Sequence, residues 1–165
     1  MREVIFHDNI MEQFYDAIAA FCPERGGILL GPIGVPVVSL FIADPDAAAT
    51  NVTYTPSHQV GLQVAEAERA GAVEVKGIIH SHPGSMDHPS LGDHRSFGNW
   101  MARMPWIPFL ITPIVTVGQH ARGGAPHKVT LTNGEMSVFV AESRPGSAIH
   151  QSTATPRILD ITGAV

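Results

Sequence analysis

Hydrophobic positions along this chain alternate between two periods, and each change of period marks an element. Met11, Phe14, Ile18 and Phe21 recur at helical spacing behind Asp8, which predicts a helix capped by Asp8 and ending near Pro23. Two apolar runs, residues 27–31 and 35–42, flank Pro32-Ile33-Gly34 and predict a β-hairpin. Residues 44–56, with their Asp, Pro, Ala and Thr, read as a loop. Ser57 then caps a second helix that carries Val60, Val64 and Ala67 and stops at Gly71. A third strand is expected over residues 73–81. Beyond it Ser90 and Asp93 form a capping pair for a third helix, with Phe97, Met101 and Met104 as its apolar face and Pro105 as its end.

Residues 109–117 read as a strand in which Pro113 requires an edge position or a bulge. A Gly-rich loop covers 119–126. Asn133-Gly134 between residues 129–132 and 136–140 is a strong hairpin signal. From Ser143 to Val165 the pattern lapses into Ser, Pro, Gly and Thr, so a loosely structured tail is expected, with Ile158, Leu159 and Ile161 able to dock. The elements sum to an α/β fold of one domain, a mixed central sheet flanked by about three helices, over residues 1–142, with the tail at 143–165.

Composition narrows the function classes. Of the 165 residues 44% are hydrophobic and 15% charged, which suits a packed core and excludes a largely disordered chain. A formal net charge of -5 leaves no basic footprint for nucleic acid. Cys22 is the one cysteine, so no internal disulfide forms, and the N-terminus lacks the apolar run of a signal peptide; a cytoplasmic setting is expected. The longest apolar stretch, 109–117, falls short of a membrane span.

The densest chemistry lies between residues 80 and 93. Residues two apart on a strand share a face, so His80 and His82 can converge on one ion while Ser81 points away. Pro83 keeps His82 extended. Asp93, on the first turn of the next helix, can return a carboxylate to the same point. Two imidazoles and a carboxylate leave a fourth tetrahedral position open, as catalytic zinc requires. His-X-His alone is weak evidence; the added Ser90 and Asp93 shift the balance toward metal. Asp87, His88 and His94 are alternative ligands.

The spacing His80-Ser81-His82, seven residues, Ser90, two residues, Asp93 resembles the motif of the JAMM (JAB/MPN) metallo-isopeptidases, and Glu24 in Pro23-Glu24-Arg25-Gly26-Gly27 resembles that family's upstream glutamate. The resemblance covers approximately residues 1–141. It implies a cytidine-deaminase-like JAB/MPN fold and one Zn2+ per chain, held by His80, His82 and Asp93. It also implies Glu24 as general base and then acid, and Ser90 as a hydrogen-bond donor to the tetrahedral intermediate. The implied substrate is a ubiquitin-like protein or its conjugate, cut after its C-terminal glycine, with cognate activating and conjugating enzymes as further partners. The short chain resembles compact bacterial members. A Gly-ended tail is expected to bind by strand addition beside the metal-bearing strand. Two other readings remain: a PHP-type metal-dependent phosphoesterase, using Ser85 and Asp87 after the histidines, and a non-catalytic MPN scaffold subunit.

Overall fold

The computed structural model describes residues 2–19, 25–49, 54–84, 86–117, 124–132, 134–143 and 149–161. The chain starts with β1 (Arg2–His7), in which Val4 and Phe6 are fully buried while Glu3 is exposed, a period of two too short to stand out in the sequence. Helix α1 (Asp8–Phe14) follows and continues as a π-helical segment, Tyr15–Ala19. Asp8 is the first helical residue rather than the cap; its carboxylate accepts the N–H groups of Asn9 and Ile161. Met11, Phe14 and Ile18 face the core as expected, and Phe21, Cys22 and Glu24 lie outside the described residues.

The expected hairpin forms from β2 (Gly26–Pro32), but β3 (Val37–Val38) leaves it to pair in parallel with β1. Only β4 (Leu40–Ala43) returns along β2, in the register Gly27↔Ala43 to Leu30↔Leu40. The expected loop contains a two-stranded ribbon, β5 (Ala48–Ala49) and β6 (Tyr54–Thr55). Helix α2 (His58–Ala70) has Ser57 as N-cap, its side chain accepting the Val60 N–H. Then come β7 (Val73–His82) and α3 (Leu91–Arg103).

Pro113 divides the expected strand into β8 (Phe109–Ile111) and β9 (Ile114–Val117), both parallel to β7. β10 (Lys128–Leu131) and β11 (Gly134–Ser137) close with Leu131 opposite Gly134, so the reversal is centred one residue earlier than Asn133-Gly134. β12 (Phe139–Glu142) pairs with β8.

The tail expectation requires correction. Residues His150–Leu159 form β13, antiparallel to β12 and parallel to β1 over six residue pairs. Ala154 is fully buried, and the segment was missed because its inward positions are small or polar rather than an apolar alternation.

β7 is the axis of the sheet, with β2 along one edge and β8 then β9 along the other. Two apolar clusters lie on its two faces. One gathers Phe6, Phe14, Leu29 and Ile79 under α1, and the other gathers Ile28, Val75, Ile78, Phe97 and Met101 under α2 and α3. Val75 and Ile78 share a face although three apart, because a bulge opposite Leu29 and Leu30 inserts Lys76 as an extra residue. Gly77 permits the neighbouring strand to approach; a Cβ there would lie 1.7 Å from the Ile111 carbonyl oxygen.

Candidate metal centre

Alternation beyond the bulge decides what β7 presents. Ile78, His80 and His82 project to the side of α3, and Ile79 and Ser81 to the side of α1. Both imidazoles are almost wholly buried. Across from them the chain enters α3 through a capping box. Ser90 Oγ accepts the Asp93 N–H at 3.2 Å, and the Ser90 N–H donates to Asp93 Oδ2 at 2.6 Å. The cap therefore aims the Asp93 carboxylate at the end of β7.

The three side chains meet. His80 Nε2 and His82 Nε2 are 2.9 Å apart, His80 Nε2 is 3.1 Å from Asp93 Oδ1, and His82 Nε2 is 3.2 Å from Asp93 Oδ2. A tetrahedral zinc with bonds near 2.05 Å separates its ligand atoms by about 3.3 Å, so the donor triangle fits such an ion. His82 Nδ1 lies 3.1 Å from the Met86 carbonyl oxygen, an acceptor only. The proton is thereby held on Nδ1 and Nε2 presents its lone pair to the centre. The His80 ring is oriented differently, by stacking on Tyr54 at a 6.0 Å centroid distance and 11° between planes. Its Nδ1 has no hydrogen-bond partner among the described residues.

Protonation states suit a cation. Burial pushes the His80 imidazole below its ordinary value and keeps it neutral, against the opposing pull of Asp93. For Asp93 burial alone would raise the carboxyl, but its close contacts with His80, His82 and Ser90 outweigh that and hold the group far below the usual carboxylate range. Tyr54, which orients His80, donates its hydroxyl to Asp44 Oδ2 at 3.1 Å. Burial and that carboxylate raise its phenol well above the normal range.

Ser81 has a role the sequence pattern left unassigned. Its Oγ accepts the Arg25 N–H at 2.9 Å, and its own N–H donates to the Arg25 carbonyl at 2.8 Å. The middle residue of His-Ser-His thus anchors the start of β2 to the strand that carries the two histidines. Gly26 allows this closeness, since a Cβ there would sit 2.7 Å from the Ile79 carbonyl oxygen and 2.8 Å from the Tyr54 ring. Glu24 lies outside the described residues, one position before the anchored Arg25.

The alternative ligands point elsewhere. Asp87, required by the phosphoesterase reading, receives a 2.8 Å hydrogen bond from Lys128, which also pairs with Glu135; the Lys128 contact holds the Asp87 carboxyl low. His88 and His94 are exposed. Among the described residues, His80, His82 and Asp93 are the group able to hold a metal ion. Strand addition beside β7, expected from the sequence, meets edges already occupied among the described residues, by β2 as far as His80 and by β9 from His80 to His82. A groove remains open between β6 and α3, and a larger one of about 540 Å³ between α1 and β10 shares no residue with the histidine site.

A mixed sheet with three helices among the described residues and a His-His-Asp group at the end of its axial strand defines a class of α+β domain with a group that could hold a metal ion. The model of the Prok-JAB family, prokaryotic homologues of the JAB domain, matches residues 8–125, and the chain belongs to that family. No curated protein matches it. The solution structure of protein DSY2949 from Desulfitobacterium hafniense is similar, at 16% identity and a TM-score of 0.55 over 98% of each chain, a likeness of fold. Among the described residues no helix is long and apolar enough to cross a membrane.

Proposed function

We propose that this chain is a zinc-dependent isopeptidase or peptidase that hydrolyses the amide bond after the C-terminal glycine of a ubiquitin-like modifier. The observation that carries the reading is the convergence of His80, His82 and Asp93 within 4.8 Å of one another, buried, with the His82 tautomer fixed for metal binding. Membership of the JAB family supports a hydrolase, and a filled ligand set argues against a scaffold subunit. Zinc bound there would polarise the scissile carbonyl and lower the pKa of a coordinated water toward about 7.

The chain's own residues supply the rest. Glu24 accepts the proton of the attacking water and passes it to the departing amine, which leaves poorly as an anion. Asp87 is less fit for this task, because its carboxylate is engaged by Lys128 and held ionised at a depressed pKa. Ser90 uses an Oγ lone pair for the helix cap and turns its hydroxyl proton to the oxyanion as that charge develops.

The test is a panel of ubiquitin-like modifiers fused to a reporter and treated with zinc-loaded protein. At least one fusion is expected to be cut after its terminal glycine, and Glu24→Gln should slow that cleavage by about a hundred- to ten-thousand-fold while keeping zinc. An intact panel would move the assignment to another amide bond. Full activity in Glu24→Gln would transfer the proton role to a different carboxylate.

A further inference from the structure

The groove between β6 and α3 has a composition of its own. Its inner part, about 150 Å³, reaches His80 and Asp93, and its outer part, about 380 Å³, extends past Met104. Thr55, Pro56, Trp100 and Arg103 line both parts, so the two adjoin and together lead away from the candidate metal centre.

The α3 wall is made by Ser96, Asn99, Trp100 and Arg103, spaced i, i+3, i+4 and i+7 on one helix face. Phe97, on the adjoining side of the helix, also lines the inner part, and with Met101 it is buried in the core. The groove stripe is instead neutral hydrogen-bonding groups, one aromatic plane and one cation. Among the described lining residues Arg103 is the single charged side chain outside the metal centre. It engages no carboxylate among the described residues, although the chain carries 15 acidic residues against 10 basic ones. An arginine in the last turn also suits the negative end of a helix dipole. That role requires no cavity around the side chain, whereas Arg103 borders both parts of this one.

We infer that the groove is a substrate subsite for an extended peptide bearing a carboxylate side chain, with Arg103 as its recognition group and Trp100 as the apolar floor beneath the intervening residues. This rests on the peptidase reading above. Arg103 follows Asp93 by ten residues, a rise of about 15 Å along the helix, and an extended chain covers that in about four or five residues. The acidic side chain therefore sits about that far from the scissile bond. A planar guanidinium can take it with two parallel hydrogen bonds, which distinguishes a carboxylate from an amide of the same shape.

Binding is measured without turnover. Fluorescein-labelled hexapeptides ending in Gly-Gly carry Glu, Gln or Lys at each of the four preceding positions in turn, and their affinities for zinc-loaded protein are read by anisotropy. At one or two positions Glu is expected to bind about three- to tenfold more tightly than Gln, with Lys weakest. Arg103→Gln should erase the difference, and Arg103→Glu should reverse it with the melting temperature unchanged. Equal binding of the three side chains at every position, a Glu preference that survives in Arg103→Gln, or no binding by any peptide would each overturn the subsite. Preference for Glu together with an intact modifier panel would sink the isopeptidase reading and leave the subsite standing.

Discussion

In the proposed mechanism Ser90 meets two demands with different parts of one hydroxyl. Its oxygen accepts the Asp93 N–H as a helix cap, and in that mechanism its proton serves a developing oxyanion. The two roles separate by substitution. Ser90→Ala loses the cap and is expected to lower stability by about 1 kcal/mol, whereas Ser90→Gly, better tolerated at this position, should cost only a few tenths. Both lack the hydroxyl, so both should lose turnover alike, by about a hundredfold or more, with zinc retained. Thermal melts and rate measurements on the pair check this. Turnover that tracked stability instead of the hydroxyl would reduce Ser90 to a cap. At this scale the grouping of His80, His82 and Asp93 was legible in the sequence, because they lie on one strand and the helix that follows it. Ser81 was not, since its partner Arg25 is 56 residues away and only the pairing of β2 with β7 brings them together.

Elements with a strong period were legible for the same reason of locality. The stripes of α2 and α3, the caps Ser57 and Ser90, and the apolar run of β7 are each read within one window and appear where expected. Elements whose pairing is distant or whose inward residues are small carry no such local signal. β1 is held by β13 and β3, neither adjacent in sequence, and β13 buries Ala154 rather than a row of large side chains. The Phe109 to Val117 segment looked like one strand, but Pro113 breaks it into two that dock successively on β7. β13 gives the sharpest consequence. It is the link between β12 and β1, so a chain ending at Ile149 exposes the edges of both and uncovers Val4 and Phe6. Such a truncation is expected to abolish cooperative unfolding as followed by circular dichroism. A truncated protein melting within a few degrees of the full chain would return residues 150–165 to the status of a dispensable tail.

Across the whole molecule the candidate metal centre sits where the sheet's axis ends, supported by two apolar clusters built from side chains alone. Chelated protein should therefore still unfold cooperatively. Its stability should depend on pH with a definite sign. Burial holds His80 below its ordinary value of 6.5, so the unfolded chain takes up that proton first as pH falls. The stabilisation from neutral His80 is full above about pH 6.5 and is lost as pH falls through the lowered folded value. Asp93, also depressed, adds a second loss that begins below its ordinary 3.8. In chelator the melting temperature should be level from pH 8 to 7 and decline from 6.5 to 5, with His80→Gln flattening that decline. A wild-type profile flat from pH 7 to 5 would deny the buried neutral imidazole. The central claim, that His80, His82 and Asp93 form a zinc centre served by Glu24 from outside the ligand set, is tested most directly by competitive zinc titration against a chromophoric chelator. One equivalent per chain is expected for wild type and for Glu24→Gln, and none held tightly by His80→Ala, His82→Ala or Asp93→Ala. Zinc retained at one equivalent by all three alanine variants, or lost from Glu24→Gln, would contradict it.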